Sequence, residues 1–450
     1  MAIRVSFSLI DKDLGKKILE ETTVVEVMSF VPGIRFQPSP QQVQMFHDAG
    51  DDILLPYYYA KQLGFDHSMT TKEKWIKLTN LPPFVGEMRD YQNDILSEAI
   101  HYLSTQNSVI IGTPPGSGKT IMASKLWYEI GLLGMVITNR IEVHKGWIKT
   151  FQTVCPGCVI WVPGTGFPNV MPHIIVSMAD AVDYIPEEIR LSVGTLIVDE
   201  VHLLCTPTRN KMFLSFEPHY VILETATLEM NNGMHKMATL VASESGVFRI
   251  SKIPYNIYVV PTGIFGNQEY GKSGMISASL QKSLASSPER HNIILNIIHN
   301  NRHRKFIAMH RVTAGIEELV SKARTIGIPA DSLYGSKKEY NNSRLLVGTV
   351  SKMGTGFDEA NACSDFYLNP EKSNTLILVN SIKGWQLYEQ VRGRVMRSDD
   401  PCVIWLMDDN PSILRHFETL RPWFEKTNGR ILFVPDYRQF VIPSSNENTI

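Results

Sequence analysis

The stretch that decides the fold is Val109-Ile110-Ile111-Gly112-Thr113-Pro114-Pro115-Gly116-Ser117-Gly118-Lys119-Thr120, an apolar run followed by a glycine-containing turn. The apolar run predicts a buried strand, and the residues after the turn have the pattern of an amphipathic helix that extends to Glu129. Glycines between such a strand and such a helix let successive backbone N–H groups curve around anionic oxygens. The stretch therefore predicts a phosphate-binding P-loop.

Each part of this loop has an expected role in binding a nucleoside triphosphate. Lys119 is expected to place its ammonium group on the β- and γ-phosphates, and Thr120 to bind Mg²⁺ through its hydroxyl. Thr113 departs from the G-x-x-x-x-G-K-T pattern, which has a glycine at that position. A chance Lys-Thr pair after a glycine turn is the alternative, which the flanking strand and helix disfavour. The predicted nucleotide-binding residues of the loop are Pro115, Gly116, Ser117, Gly118, Lys119 and Thr120.

The composition is that of a globular chain of 450 residues, 43% hydrophobic and 20% charged, and the length favours two or three domains. No apolar run reaches the roughly 18 residues of a membrane span, and the first residues lack the pattern of a signal peptide. Five cysteines favour a reducing, intracellular setting, which is the cytoplasm, the nucleus or a virion. A net charge of −1 leaves any nucleic-acid surface to a local basic patch.

The order of apolar runs predicts the domain organisation. Residues 1–82 contain no catalytic pattern and are predicted to form a small α+β accessory domain. Short apolar runs then alternate with helical patterns over residues 83–235 and again over residues 236–442. Such runs indicate parallel sheets covered by helices on both faces, so the predicted fold class is α/β with two tandem lobes. Residues 443–450 are polar and are predicted to be a disordered tail.

A second chemical signal is Leu196-Ile197-Val198-Asp199-Glu200-Val201-His202, an apolar strand that ends in two carboxylates. Within the same lobe as a P-loop, we expect this strand to lie beside the P-loop strand. Asp199 is then expected to hold Mg²⁺ through water, and Glu200 to polarise the water that attacks the γ-phosphate. The alternative for the same residues is an exposed pair of loop carboxylates without a catalytic role.

These residues resemble the motifs of superfamily 2 helicases and translocases, whose D-E-x-H box matches residues 199–202. The resemblance covers residues 84–410, and its motifs follow in the family's order. Within the superfamily, the chain is most similar to the group that contains XPB, phage UvsW and the poxvirus transcript-release helicases, which suits a large DNA virus as the source. The other matching segments are Met88–Gln92 (R-x-Y-Q), Thr225–Thr227 (S/T-A-T), Thr349–Asp358 (T…G-x-D) and Gln390–Arg397 (Q-x-x-G-R-x-x-R).

The resemblance implies two RecA-like lobes with parallel sheets and assigns roles to named residues. The catalytic set is Lys119, Asp199, Glu200, Gln390, Arg394 and Arg397. Arg89 and Gln92 are expected to recognise adenine, and His202, Thr225 and Thr227 to couple hydrolysis to movement. Gly356 and Asp358 are expected at the cleft between the lobes, with Asp358 facing the ribose or Arg394. Because Arg394 and Arg397 are three residues apart, one helix would present both on the same face. They come from the second lobe, so the ATP site would be complete only when the lobes close.

Nucleic-acid contacts are predicted at Thr349, Lys337, Arg311 and Trp147. A core position is the alternative for Trp147, and a solvated surface position is the alternative for the basic residues. Cys155-Pro156-Gly157-Cys158 is a lone C-x-x-C, and because a structural zinc site needs further ligands, no zinc site is predicted.

The predicted function is that of an ATP- and Mg²⁺-dependent helicase or translocase that moves along DNA, in viral transcription or genome processing. Nucleic acid, with DNA favoured over RNA, is the expected partner, and transcription machinery is a second one. An RNA helicase and an AAA+-type protein-remodelling ATPase are the alternatives. The P-loop also fits the AAA+ class, but a second strand-rich lobe that carries residues 390–397 does not.

Overall fold

The computed structural model describes residues 1–27, 39–67, 75–226, 228–230, 232–267, 269–271, 274–275, 277–354, 357–368 and 370–443. The chain divides into two compact units. Unit 1 ends at Arg249 and unit 2 begins at Ile250, and residues 114–116 of the P-loop are grouped with unit 2. Among the described residues, no helix is both long and apolar enough to cross a bilayer.

Unit 1 is an α/β unit preceded by a small N-terminal region. Its strands are β1 (Ala2–Ser6), β2 (Thr23–Val25), β3 (Gln42–Gln44), β4 (His47–Asp48), β5 (Asp52–Pro56), β6 (Ser108–Gly112), β7 (Gly134–Thr138), β8 (Ile160–Trp161), β9 (Ile174–Met178), β10 (Thr195–Val198), β11 (Tyr220–Thr225) and β12 (Val247–Phe248). Its helices are α1 (Lys12–Thr22), α2 (Tyr57–Gln62), α3 (Asp90–Gln106), α4 (Lys119–Ile130), α5 (Ile141–Val154), α6 (Glu187–Ser192), α7 (Asn210–Leu214) and α8 (Lys236–Ala242).

The main sheet of unit 1 has the order β12-β6-β11-β10-β7-β9-β8 in the described part of the chain. All neighbouring strands in it are parallel, so their carboxyl ends meet at one edge. The strand that ends in the two carboxylates, β10, is not beside the P-loop strand β6 as the sequence suggested. Instead β11 lies between them and pairs with both. This order brings the P-loop, the end of β11 and the end of β10 to neighbouring positions.

The N-terminal region shares its core with the rest of unit 1. β1, β5 and β4 form a small antiparallel sheet. Apolar side chains of this region, including Met1, Leu55 and Tyr57, belong to the same buried cluster as Leu196 and Val198 of β10. The sequence predicted an α+β region here but could not show this common core.

Residues 236–249 belong to unit 1, although the predicted boundary lay at residue 235. α8 packs against the same core, and β12 extends the main sheet by pairing with β6. The end of unit 1 at Arg249 therefore follows the last strand of its sheet.

Unit 2 contains the second α/β sheet. Its strands are β13 (Tyr255–Pro261), β14 (Tyr270–Gly271), β15 (Gly274–Met275), β16 (Phe306–His310), β17 (Ala330–Leu333), β18 (Leu345–Thr349), β19 (Thr375–Leu378), β20 (Cys402–Met407) and β21 (Gly429–Phe433). Its helices are α9 (Ser277–Ala285), α10 (Pro288–Asn300), α11 (Ile316–Thr325), α12 (Val350–Met353), α13 (Glu359–Ala362), α14 (Trp385–Arg392) and α15 (Pro411–Lys426).

The main sheet of unit 2, in the ranges that the structure describes, has the order β17-β18-β16-β19-β20-β13-β21 and is parallel throughout. The apolar runs that predicted strands in this half of the chain did not include β13 or β21. Those runs are Phe306–Met309, Ser332–Tyr334, Leu345–Val347, Leu376–Val379 and Val403–Met407. Apolar clusters cover both faces of the sheet. The two parallel sheets confirm the predicted α/β fold with two tandem lobes.

Candidate nucleotide-binding and coupling site

The loop between β6 and α4 has the backbone that a P-loop needs. Gly116 and Gly118 both adopt the left-handed conformation, with φ of 84° and 85°. A Cβ atom on Gly118 would lie 2.3 Å from Nε2 of Gln92, so a larger residue does not fit without displacing that side chain. α4 begins immediately afterwards at Lys119, which directs its first backbone N–H groups towards the loop.

Thr113 cross-links this loop from the position where the usual pattern has glycine. Its side chain is fully buried, and its hydroxyl lies 2.7 Å from the hydroxyl of Ser117. Its carbonyl accepts a hydrogen bond from the Lys119 ammonium group at 2.9 Å. The threonine side chain therefore adds a bond that closes the loop through Ser117, whereas the bond to Lys119 comes from the backbone.

The segment that resembles the adenine-recognition motif holds the loop from the other side. Gln92 donates from Nε2 to the carbonyl of Ser117 at 2.9 Å, and its Oε1 accepts from the backbone of Arg89 at the same distance. The Tyr91 hydroxyl donates to the same Ser117 carbonyl. The structure thus gives Gln92 a direct role in supporting the P-loop, while adenine recognition by Arg89 and Gln92 stays a prediction. The sequence analysis did not single out Tyr91.

Asp199 lies at the end of β10 and is almost fully buried, with 6% of its surface exposed. Burial raises its pKa to about 6, and the nearby charge of Glu200 acts in the same direction. Nε1 of Trp147 donates a hydrogen bond to its Oδ2 at 2.7 Å. Trp147 is itself fully buried because α5 packs this side chain into the core. The structure therefore gives Trp147 a positioning role at Asp199 and not the predicted contact with nucleic acid.

A polar cluster connects Glu200 with the strand β11. Glu200 has a left-handed backbone, with φ of 48° and ψ of 50°. For a residue with a side chain, this conformation costs about 1–2 kcal/mol. Nδ1 of His202 lies 3.3 Å from a Glu200 carboxylate oxygen and 2.9 Å from the Thr225 hydroxyl. The backbone N–H of Ala226 donates to the same oxygen at 3.4 Å. The D-E-x-H and T-A-T segments are thus in direct contact, although Thr227 lies outside the described residues.

Glu224 is a buried carboxyl group that the sequence analysis did not assign to the site. Because Leu223 pairs with Val198, the next residues on the two strands, Glu224 and Asp199, follow in register. Glu224 is fully buried, and neither of its carboxylate oxygens has a hydrogen-bond partner among the described residues. Burial raises its pKa well above the ordinary value, with Asp199 adding to the effect and Lys119 opposing it. The signal in the sequence was a glutamate inside an apolar strand.

The groups at this edge of the unit 1 sheet fit a nucleoside triphosphate with Mg²⁺. The two left-handed glycines and Lys119 suit phosphate oxygens, and the Thr120 hydroxyl and the Asp199 carboxylate are the hard oxygen donors that Mg²⁺ prefers. Burial is the main cause of the raised pKa values of Asp199 and Glu224, and Glu224 has no hydrogen-bond partner among the described residues, so this edge lacks a group that would stabilise the ionised carboxylates. A divalent cation would supply that stabilisation.

Unit 2 brings together its own two predicted motifs. Arg397 forms an ion pair with Asp358, which also caps α13 by accepting from the N–H of Ala360 at 2.9 Å. Arg394 donates to the carbonyls of Gly354 and Phe357 and is 6% exposed. Residues of both motifs line a small cavity, whose lining residues are Phe357, Asp358, Glu359, Ala360, Lys372, Arg394 and Arg397. Gly356 lies outside the described residues.

The two arginines are not on a helix as the sequence predicted. α14 ends at Arg392, with Gln390 in its last turn. The following backbone forms tighter turns, in which the N–H of Arg394 donates to the carbonyl of Val391. Their proximity to Asp358, Gly354 and Phe357 comes from these turns.

The predicted nucleic-acid residues of unit 2 lie at or near the carboxyl edge of its sheet. Thr349 ends β18, and its hydroxyl lies 3.0 Å from that of Ser351. Arg311 follows β16 and is exposed. The ammonium group of Lys337 is held by Asp331 at 2.7 Å, so a phosphate would have to compete with this carboxylate.

Comparisons with known proteins agree with this geometry. The family model described as "Type III restriction enzyme, res subunit" matches residues 86–230. The protein 161L of Invertebrate iridescent virus 6, which is named as a helicase, is 26% identical over 421 residues, covering 87% of this chain and 91% of the relative. The chain is a superfamily 2 helicase. As a helicase, it is an ATP-hydrolysing enzyme.

Two further similarities place this helicase more broadly. It is 28% identical over 154 residues to "DNA 3'-5' translocase XPB2" of Sulfurisphaera tokodaii, which covers 34% of the helicase and 33% of the relative. Its fold is similar to that of S. cerevisiae Dbp5 bound to RNA and ADP BeF3, with a TM-score of 0.52 and 11% identity. This similarity covers 76% of the helicase and 90% of the Dbp5 chain.

Proposed function

We propose that this helicase uses ATP hydrolysis to move along DNA, in viral transcription or genome processing. The observation that carries the proposal is the cluster of Glu200, His202, Thr225 and Ala226 in unit 1. It links the carboxylate expected to polarise the attacking water with the segment expected to transmit movement. A change at the γ-phosphate can therefore alter the hydrogen bonds of the T-A-T segment directly.

The nucleotide is bound by the P-loop in this proposal. Lys119 and the backbone N–H groups after Gly116 hold the β- and γ-phosphates, and Gln92 and Tyr91 keep the loop in shape through Ser117. Mg²⁺, held by Thr120 and Asp199, would supply charge neutralisation of the phosphates. Glu200 accepts a proton from the attacking water, and His202 holds its carboxylate in place.

Unit 2 contributes two further cations to the proposed reaction. Arg394 and Arg397 are proposed to stabilise the charge that develops on the γ-phosphate, as the resemblance to the family implies. In the structure both guanidinium groups are engaged within unit 2, by the carbonyls of Gly354 and Phe357 and by Asp358. For Arg397 to contact a phosphate, its ion pair with Asp358 must loosen or be shared.

DNA is the proposed substrate because the partial relative XPB2 is named as a DNA translocase. RNA is the alternative, since the similar Dbp5 structure contains RNA. The 11% identity to Dbp5 concerns the fold alone, so it carries less weight.

The test is ATP turnover by the purified protein with single-stranded DNA, duplex DNA, RNA, denatured protein or no addition. We expect the largest stimulation with DNA. Stimulation by RNA alone would support the RNA-helicase alternative, and stimulation by denatured protein alone would support a remodelling ATPase. Equal turnover under all conditions would contradict a nucleic-acid motor.

A further inference from the structure

The carboxyl edge of the unit 2 sheet carries cations that the proposed ATP chemistry does not use. Arg311 follows β16, Lys383 lies in the turn after β19, and Arg415 lies in the first part of α15. All three side chains are exposed. Within the described ranges, none of the three forms an ion pair with a carboxylate. We call Arg311, Lys383, Arg415 and the adjacent His416 the cationic platform.

Hydrogen bonds between four segments hold this platform together. The backbone N–H of Arg311 donates to Oδ1 of Asn380 at 2.9 Å, which joins the segment after β16 to the segment after β19. The hydroxyl of Ser381 lies 2.8 Å from Nδ1 of His416, which joins the same segment to α15. Gln281 of α9 donates to Ser381 at 3.3 Å. The backbones that carry the three cations are therefore fixed relative to one another.

The charges of the platform converge on His416. Burial is the main cause that lowers the pKa of this imidazole, and the charges of Lys383, Arg311 and Arg415 lower it further. Three cations that act on one side chain lie close together, so their positive potentials add at this part of the surface. Two carboxylates of this region are engaged by other cations, since Asp408 is held by Arg290 and Glu418 is paired with Arg421.

The platform continues the line of the predicted nucleic-acid contacts. In the sheet, β18 lies beside β16 and β16 lies beside β19, so Thr349, Arg311 and the segment before Lys383 follow one another along the edge. Strands in a sheet are about 4.8 Å apart, so this line covers roughly 10 Å and then continues towards α15. Exposed cations at such spacing suit successive phosphates of one flexible strand.

We propose that the cationic platform binds the phosphate backbone of a single nucleic-acid strand and extends the strand path from Thr349 to α15. This inference rests on the proposed function, because it takes a nucleic-acid strand to be the substrate. The contacts are to phosphates, so the platform adds affinity and strand retention without selecting a sequence.

The test compares the wild-type protein with the double variant Lys383→Glu/Arg415→Glu. Binding of a fluorescein-labelled oligothymidine of about 25 nucleotides is measured by anisotropy over a series of salt concentrations. Each lost phosphate contact should lower the slope of log K against log salt concentration by about 0.7, and the double variant should therefore lose about 1.4. We expect its affinity at low salt to fall by about tenfold or more.

Two control variants separate local charge from net charge and shape. Lys426→Glu alters an exposed cation on the same helix, about 16 Å along α15 from Arg415, and should leave the slope unchanged. Lys383→Arg/Arg415→Lys keeps both charges and should retain the wild-type slope. Melting temperatures close to that of the wild type confirm that the variants are folded.

The outcomes distinguish the two proposals. If the wild type shows no binding to any nucleic acid and no stimulated ATP turnover, the proposed function fails. If the wild type binds the oligonucleotide but the charge-reversed double variant binds with the same affinity and slope, the platform proposal alone is overturned. That result would also leave an acidic protein as the class of partner to examine.

Discussion

The two parallel sheets of the helicase have the same architecture but opposite chemistry at their carboxyl edges. In unit 1 this edge carries the buried carboxyl groups of Asp199 and Glu224, which are incompletely balanced by cations. In unit 2 it carries cations, of which Arg394 and Arg397 are engaged by carbonyls and a carboxylate of the same unit. The same fold therefore holds a buried carboxyl group without a partner in one unit and guanidinium groups with acceptors in the other.

This difference between the two edges predicts how substitutions at each of them change the stability of the protein. A buried carboxyl group without a partner reduces the stability of a folded protein, so the presence of Glu224 at the unit 1 edge is explained best by a ligand that stabilises its ionised form. Arg394 and Arg397 of unit 2 each have hydrogen-bonding partners within that unit without a ligand. Removing them should therefore lower stability, whereas removing a buried acid from unit 1 should raise it.

The largest expected effect concerns the cation that unit 1 does have. Lys119→Ala removes the ammonium group expected to stabilise the transferring phosphate, so ATP turnover should fall by about 100-fold or more. Phosphate release under saturating DNA measures it. Lys125→Ala on the same helix removes a lysine paired with Glu129 and should keep wild-type turnover. Turnover within a fewfold of wild type in Lys119→Ala would contradict the assignment.

The pH dependence of Asp199 provides the next test, without nucleotide or Mg²⁺. Its pKa is about 6 in the folded protein and 3.8 in a model compound, so the folded state binds more protons between these values. The stability contributed by this group therefore falls as the pH rises through that window and is constant above it. Asp199→Asn should become more stable relative to the wild type from pH 4 to pH 6, by about 1–3 kcal/mol.

Thermal denaturation of both proteins across this pH range measures the difference. The amide can still accept from Trp147, so the variant removes the charge and not the hydrogen bond. A difference that is independent of pH would show that the burial of Asp199 does not raise its pKa.

Substitution of Glu224 tests whether its unpartnered carboxyl group lowers the stability of unit 1. Glu224→Leu replaces a buried, unpartnered carboxyl group with an apolar side chain among Ile111, Ile222 and their neighbours. We expect the free energy of unfolding at neutral pH to increase by about 1–2 kcal/mol. Chemical denaturation without nucleotide measures this change, and Asp94→Leu, at an exposed position on α3, is the matched control. A loss of stability in Glu224→Leu would mean that the carboxyl group has a compensating partner.

Substitutions of the unit 2 arginines should change the free energy of unfolding in the opposite direction, by a similar or smaller amount. Arg394→Ala leaves the carbonyls of Gly354 and Phe357 without their donor in a buried setting, which should lower stability by about 1–2 kcal/mol. Arg397→Ala breaks an ion pair that is partly exposed and should lower stability by less than about 1 kcal/mol. Melting temperatures of both variants test this order. A larger loss of stability in Arg397→Ala than in Arg394→Ala would contradict this account of the two arginines.

The sequence predicted local features well because they depend on short-range patterns. The strand β6, the turn and the helix α4 follow from an apolar run, two glycines and an amphipathic pattern. The strand β13 was missed because it contains few apolar residues and lies in a polar region of the sequence. It also begins directly after Pro254 and ends with Pro261. The end of α14 at Arg392 was missed because Gly393, which directly follows it and is a residue type that often ends a helix, was interpreted as part of the motif.

Features that depend on tertiary packing could not be predicted from the pattern. The position of β11 between β6 and β10 reflects strand order, which a single sequence does not encode locally. The contact between Trp147 and Asp199 joins residues 52 positions apart, and the orphaned state of Glu224 depends on what surrounds it in three dimensions. The resemblance named the motifs of the site but not these supporting residues.

The most direct test of the account is whether ATP hydrolysis by this helicase produces movement along DNA. The measurement is displacement of a fluorescent third strand from a DNA triplex, followed together with phosphate release. We predict ATP-dependent displacement by the wild type, none by Lys119→Ala, and hydrolysis with reduced displacement by His202→Ala, whose imidazole contacts Glu200 and Thr225. DNA-stimulated ATP hydrolysis by the wild type without any displacement would contradict the account.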